Sequence, residues 1–290
     1  VNIPYKLHQL ASRVIPSPVM FQISLRALLL RNWWRYGEAN FPVTIAIETN
    51  AHCNRTCYYC PQSVDQKATQ VIKPDVYSRC LARIAELDWR GIIDFHFFGE
   101  PLLNVRLETL VREARARCPR AILEILSNGD ALTVRRAQSL MAAGIDKFLI
   151  TRHPPYSREW DVRMESLVAM FPDNVACRTI EGLPLHNRTG MVKPRATFDF
   201  SKGCHTASRH FQIGINGEYV WCCSDYDKRH LQGSVFTHSI LEAWKNNVKY
   251  RAARKAVESG KPVLDICKAC FSGKALATTH RGDAETQRKP

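Results

Sequence analysis

Residues 52–61 read HCNRTCYYCP and follow directly on a short β-rich run at 43–49. Cys53, Cys57 and Cys60 therefore carry a CxxxCxxC spacing on one loop, just after the first predicted strand. Three thiolates on one short loop can converge on a single soft metal centre. Three ligands also leave one position open, so a cluster of iron and sulfide held this way keeps one iron free for another ligand. Structural zinc is the competing reading, because it takes four ligands in a closed tetrahedron and His52 is at hand as a fourth.

Working outward, the apolar runs 92–98, 121–127, 147–151 and 175–180 alternate with helical patterns at 74–88, 105–117, 132–143 and 157–171. This alternation predicts βαβ units and a parallel sheet. Right-handed crossovers then curl the sheet towards a barrel or half-barrel. Gly99-Glu100-Pro101 follows the second strand and Ser127-Asn128-Gly129 the third. Both lie at the C-terminal ends of strands, where α/β folds place their chemistry. Taken alone, the glycines read equally well as turn residues.

The alternation stops after about residue 182, where a Pro-, Gly- and Asn-rich connection runs to 202. Runs 210–215 and 218–222 flank Asn216-Gly217, the strongest short hairpin signal. A long basic helix carrying Trp244 is expected over 240–259, followed by Cys267 and Cys270. Cys204, Cys222, Cys267 and Cys270 offer four thiolates to one centre, and zinc would suit them as well as iron. Cys223 adjoins Cys222, and neighbours on a strand point to opposite faces, so either is a candidate ligand. Cys80, Cys118 and Cys177 stand alone and read as packing residues. The expected organisation is an N-terminal helical extension (1–41), an α/β partial barrel (42–182), a small C-terminal α+β domain (183–273) and a flexible tail (274–290). Within the extension, 19–34 reads as a helix that packs on the main domain or lies on a membrane surface.

The composition is that of a globular chain: 290 residues, 45% hydrophobic and 23% charged. No apolar stretch is long enough to span a membrane, and the first residues lack a secretory pattern. Eleven cysteines, an odd number, argue against a closed disulfide framework and for a reducing, cytoplasmic setting. The formal charge of +14 favours anionic partners, with basic stretches at 112–120, 178–195 and 245–255. An anionic small molecule is the first expectation, and a nucleic-acid-linked substrate is kept. A polycationic substrate fits this charge poorly.

The CxxxCxxC loop, with Tyr59 before its third cysteine, resembles the signature of the radical S-adenosylmethionine (radical SAM) superfamily. The resemblance implies a partial (β/α)6 radical SAM barrel with a small C-terminal α+β iron–sulfur domain. It implies a [4Fe-4S] cluster on Cys53, Cys57 and Cys60 whose open iron is chelated by S-adenosylmethionine, and cleavage of that cofactor to a 5′-deoxyadenosyl radical. Gly99 and Glu100 match the position that binds the methionine amino group, although Phe98 stands where the family has a first glycine. Ser127 and Asn128 match the ribose-binding position. The order Cys204, hairpin Cys222, helix, Cys267 and Cys270 resembles the shortened SPASM ("twitch") domain, which implies one auxiliary [4Fe-4S] cluster and favours Cys222 over Cys223. A low-potential electron donor such as flavodoxin or ferredoxin is implied as partner.

One radical cluster beside one fully ligated cluster points to hydrogen abstraction from a bound substrate with net two-electron oxidation. Epimerisation is the close rival and needs a hydrogen donor, for which Cys223, Cys177 and Cys118 are candidates. A peptide maturase is a third option, for which the 41 N-terminal residues are few. A non-catalytic iron–sulfur or zinc protein that binds nucleic acid is the alternative outside enzymes. Thr151, Arg152 and His153 after the fourth strand and Arg178 in the fifth are candidate substrate contacts, the arginines suiting carboxylate or phosphate.

Overall fold

The computed structural model describes residues 17–183, 185–193, 200 and 203–273; the expected tail 274–290 and residues 1–16 of the expected extension lie outside the described residues. Helix α1 (Ser17–Tyr36) leads into β1 (Thr44–Ile47), α2 (Pro74–Ala85), β2 (Ile92–Asp94), α3 (Leu107–Arg117), β3 (Ile122–Ser127), α4 (Val134–Ala143), β4 (Lys147–Arg152), α5 (Arg158–Met170) and β5 (Val175–Thr179). The five strands pair in parallel in the order β5-β4-β3-β2-β1. Their helix-facing side is apolar: Leu123, Ile125, Phe148 and Ile150 pack with Leu110, Leu140 and Leu167 of the helices, all fully or almost fully buried. Each such side chain contributes about 1.5–3 kcal/mol relative to exposure. The helices start and stop where their ends are satisfied. Thr133 caps α4 through its side chain, Ser157 caps α5, and α4 ends on Gly144 at φ 123°.

The sixth parallel strand is not added beyond β5. It is β6 (His210–Ile213), and it pairs with β1 from Thr44↔His210 to Ile47↔Ile213. The expected hairpin forms, β7 (Glu218–Val220) running antiparallel to β6 with Gly217 in the turn at φ 84°. Strand β8 (Leu231–Ser234) completes one eight-stranded sheet. The C-terminal segment thus continues the main sheet through β1. Glu48, buried just after β1, fastens that seam: its carboxylate accepts from Ile215 N–H (2.9 Å) and from Lys228 Nζ (3.1 Å).

Two expected elements are shorter than their patterns. Strand β2 stops at Asp94 rather than 98, because the Asp94 carboxylate accepts from His96 N–H (3.1 Å) and turns the chain. After the short helix α6 (Thr206–Arg209), the expected helix 240–259 is two helices, α7 (Ile240–Lys245) and α8 (Val248–Glu258). The break lies at Asn246-Asn247, where the Asn247 side chain accepts from Tyr250 N–H and restarts the helix as an N-cap. Helix α9 (Asp265–Ser272) carries the last two cysteines. At the end of α1, Asn32 is buried and donates to Phe41 O (3.1 Å), and Tyr36 joins the core; Leu30, Trp33 and Trp34 remain exposed.

Candidate active site

The cysteine loop is folded by its own backbone and pinned from outside. Cys60 N–H donates to Cys57 O (2.8 Å), and a single turn of 3-10 helix follows at Pro61–Ser63. This curl brings Cys57 and Cys60 back towards Cys53, whose sulfur accepts from Arg55 N–H at 3.4 Å. Burial, reinforced by the neighbouring thiols, pushes Cys53 up to about 12 and also raises Cys57. Such thiols stay protonated until a bound cation shares the charge, so metal binding here releases protons.

Arg55 does most of the pinning. Its guanidinium forks onto Asp130, Nε to Oδ2 at 2.7 Å and Nη2 to Oδ1 at 2.6 Å, and Nη1 donates to His153 O at 2.9 Å. Asn54 donates to Asp130 Oδ2 (2.8 Å) and accepts from Asn128 Nδ2 (2.9 Å). The Tyr59 hydroxyl bonds His153 Nδ1, and the two rings stack. Asn54, Arg55 and Asp130 escaped the sequence reading. Arg55 and Asp130 lie 75 positions apart, and no local pattern joins them.

The two glycine motifs hold the loops together. A Cβ on Gly99 would lie 2.0 Å from Asn50 O, so only glycine lets these segments touch. Glu100 is buried behind it. Its Oε1 accepts from Ser127 Oγ (2.7 Å) and Leu102 N–H (3.0 Å), and its Oε2 from Asn128 N–H (2.9 Å). Burial raises this carboxyl to about 7 against those three donors. The resemblance gives this motif to the methionine amino group; here the carboxylate is turned onto the 127–128 turn and fixes the end of β3. Ser127 Oγ also accepts from Gly129 N–H (2.9 Å), and Asn128 Nδ2 reaches the sulfur of Cys53 at 3.9 Å.

The face of the sheet away from the helices sets polar side chains among apolar ones such as Leu126 and Leu149. Asp94 is the cross-strand partner of Glu124, and Thr151 of Arg178. Arg178 Nε donates to Thr151 Oγ1 at 3.0 Å. Burial raises the carboxyls of Asp94 and Glu124 and lowers the guanidinium of Arg178, which the two acids partly restore. Burial also lowers His96 to about 4, with Arg188, Arg178 and His153 adding to it, and lowers His153 to about 4, with Arg55 adding. Both rings are neutral at pH 7.

Three candidates fall elsewhere. Arg152 alternates with Thr151 and so points to the helix side, where its Nε donates to Asp161 of α5 at 2.6 Å. Cys177 is the partner of Ile150, on the same helix side. Cys118 caps the end of α3 and is buried in the outer core. None of the three borders the face away from the helices.

The second cysteine set lines one cavity: Cys204, Cys222, Cys223, Cys267 and Cys270 together. Cys267 and Cys270 are three apart on α9 and share its face. Cys222 is pushed well above the ordinary thiol range by burial and then by Cys223, Cys267 and Cys270. Cys223 is engaged differently: Arg188 Nη1 donates to its sulfur at 3.1 Å and to its carbonyl at 3.0 Å. Among the described residues no three Cys, His, Asp or Glu side chains gather tightly enough for a single metal ion. Around zinc, sulfurs would sit roughly 3.8 Å apart; a four-iron cube spreads them further. His52 Nδ1 lies 3.2 Å from Lys67 O, which leaves its Nε2 outside that bond. Soft donors lining one apolar hollow fit an iron–sulfur cluster.

Residues 47–153 match the radical SAM superfamily, and residues 204–271 match SPASM, an iron–sulfur cluster-binding domain. The S-adenosyl-L-methionine-dependent 2-deoxy-scyllo-inosamine dehydrogenase of Niallia circulans is 33% identical over 230 residues, which is 78% of this chain and 91% of that protein. The chain belongs to the radical SAM superfamily. Among solved structures, BtrN in complex with AdoMet and 2-DOIA is similar at a TM-score of 0.70 and 31% identity, covering 76% of this chain and 88% of its own. SuiB from Streptococcus suis, bound to the precursor peptide SuiA, has a TM-score of 0.52 at 11% identity, covers 83% of this chain and 72% of its own, and shares the fold alone. The radical SAM match spans the cysteine loop, both glycine motifs and His153; the SPASM match runs from Cys204 past Cys270. Iron–sulfur clusters and S-adenosylmethionine are therefore this radical SAM enzyme's cofactors, and it needs a reductant and a substrate. No described helix is long and apolar enough to cross a membrane.

Proposed function

We propose that this radical SAM enzyme dehydrogenates a secondary alcohol of a small, polyhydroxylated substrate to a ketone. In this reading Cys53, Cys57 and Cys60 hold the [4Fe-4S] cluster that carries S-adenosylmethionine, and Cys204, Cys222, Cys267 and Cys270 hold one auxiliary [4Fe-4S] cluster. When bound, these groups supply the 5′-deoxyadenosyl radical and a one-electron acceptor. Asn128 and Tyr59 border the nucleotide, while Glu100 and Gly99 hold the turn on which it rests. Thr151 and Arg178 orient the substrate, and Arg178 is suited to an anionic group. Neutral His96 at the end of β2 is the available acceptor for the hydroxyl proton.

The observation that supports oxidation is where the thiols lie. All eleven cysteines are free thiols. Outside the two ligand sets, Cys118 and Cys177 sit on the helix side of the sheet, Cys80 lies in the outer core, and the sulfur of Cys223, in the auxiliary cavity, is taken up by Arg188 Nη1 at 3.1 Å, so three of the four spare thiols lie away from the sheet's inner face and the fourth is already engaged. A dehydrogenase needs an electron acceptor there; an epimerase needs a hydrogen-atom donor. The dehydrogenase named above supports the same choice. We take flavodoxin or ferredoxin as the reductant, met by the basic surface of this +14 chain, and the cytoplasm as the place where its thiols stay reduced.

The test is anaerobic turnover of the reconstituted enzyme with a panel of cyclitols, aminocyclitols and their phosphates. Oxidation yields one ketone per 5′-deoxyadenosine, with deuterium moving from the labelled carbinol carbon to the nucleoside. A product of unchanged oxidation level that takes deuterium from solvent overturns the assignment.

A further inference from the structure

The segment over the auxiliary cavity has a rare backbone. Arg188, Thr189 and Gly190 have φ of 48°, 60° and 87° in succession. Two consecutive non-glycine residues in this region are costly, and they persist only where the surroundings hold them. Here Gly190 N–H (3.0 Å) and Val192 N–H (3.1 Å) both donate to Asn187 O. The turn 188–190 packs against α9, which carries Cys267 and Cys270. The partly buried guanidinium of Arg188 meets no carboxylate among the described residues. Its bonds go to the carbonyl and sulfur of Cys223, and its charge is favoured by Cys223, by Cys60 of the first cysteine set and by Cys270 of the second. Arg188 therefore stands at the auxiliary set with no carboxylate partner among the described residues, on a turn packed against the helix of two ligand cysteines.

We propose that Arg188, fixed by the left-handed turn 188–190, is a positioning residue that raises the reduction potential of the auxiliary cluster and so makes it the acceptor of the second substrate electron. The inference rests on the dehydrogenase reading with an auxiliary cluster. Hydrogen bonds and positive charge beside cluster sulfurs favour the reduced form, which is the more negative one. In the step served, the substrate has already lost a hydrogen atom from its carbinol carbon. The carbon radical then gives one electron to the auxiliary cluster while the hydroxyl proton leaves, and the carbonyl forms. The one-electron-reduced cluster passes its electron on to a carrier protein.

Full-length protein carrying C53A, C57A and C60A leaves the auxiliary site as the sole iron centre. Its midpoint potential is read by an EPR-monitored redox titration. Arg188→Gln is expected to lower the potential by the equivalent of a tenfold or greater fall in the reduced-to-oxidised ratio, about 59 mV for one electron. Arg188→Lys, which keeps the charge but loses the guanidinium N–H shared by the Cys223 sulfur and carbonyl, falls between. In the otherwise intact enzyme, Arg188→Gln still forms 5′-deoxyadenosine but yields less ketone per nucleoside. If the triple variant assembles no four-iron spectrum, the auxiliary-cluster reading itself fails. If it does and the potential is unmoved in Arg188→Gln, the proposal for Arg188 is overturned. Should the glutamine variant load no cluster, a parental potential in Arg188→Lys overturns it equally.

Discussion

Replacing Arg55 with methionine keeps the apolar stem and removes the fork that ties the cysteine loop to β3 and β4. Four hydrogen bonds are lost: two to Asp130 at 2.7 and 2.6 Å, one to His153 O at 2.9 Å and a longer one to Pro154 O at 3.4 Å. The pair is neither surface nor core, the two side chains being 16% and 27% exposed. A surface pair would contribute under about 1 kcal/mol, and a fully buried one would cost about 3–5 kcal/mol to break. Asp130 keeps one partner, Asn54 Nδ2 at 2.8 Å. The expected loss is therefore about 2–3 kcal/mol, which for a chain of this size lowers Tm by about 4 °C. The pH dependence fixes the cause. Asp130 is held below its ordinary value because the bonds and charge of Arg55, with Asn54, outweigh burial. A depressed carboxyl stabilises the fold above its unfolded value and loses that contribution as pH falls through the folded one. The gap between parent and variant should thus be full at pH 7 and shrink below about pH 4. Urea unfolding of the metal-free protein across that range measures it. A Tm change under about 1 °C, or a gap that does not narrow in acid, refutes the reasoning.

Gly99→Ala forces a methyl to within 2.0 Å of Asn50 O, so S-adenosylmethionine cleavage should fall at least tenfold, measured as 5′-deoxyadenosine formed. Arg178→Met should lower kcat/KM for the substrate about a hundredfold, as expected for a lost charged contact, while cleavage of S-adenosylmethionine without substrate persists. His96 is depressed to about 4 from an ordinary 6.5, so the fold is most stable above pH 6.5 and loses about 2 kcal/mol on going to pH 5. In urea titrations, His96→Gln should lose less over the same interval. Cys204→Ala with Cys267→Ala should cut bound iron by about half while leaving S-adenosylmethionine binding intact, read by iron assay and calorimetry.

The site was legible where its chemistry is local. CxxxCxxC, Gly99-Glu100 and Ser127-Asn128 each sit within a few residues of a strand end, and periodicity found those strands. What was missed is non-local. Nothing near Thr44 announces that His210 will pair with it, because parallel pairing leaves no turn between the partners. The Arg55–Asp130 fork and the Glu48–Lys228 bond join residues that meet only once the sheet exists. The facing of Arg152 was open in the sequence because a one-residue step on a strand reverses the side chain; α5, through Asp161, decided it. The break before α8 was visible in principle, since Asn246-Asn247 is a poor helix interior and a good cap.

The seam between β1 and β6 has a consequence for anyone who would recombine such enzymes. The strand that launches the Cys53 loop is also the strand on which the C-terminal iron-binding region is mounted, so the two metal-binding regions share a single backbone ruler rather than a tether. A chimera that imports another C-terminal half must reproduce the hydrogen-bond ladder along Thr44–Ile47 and the Glu48 clasp, or the spacing between the two cysteine sets will change.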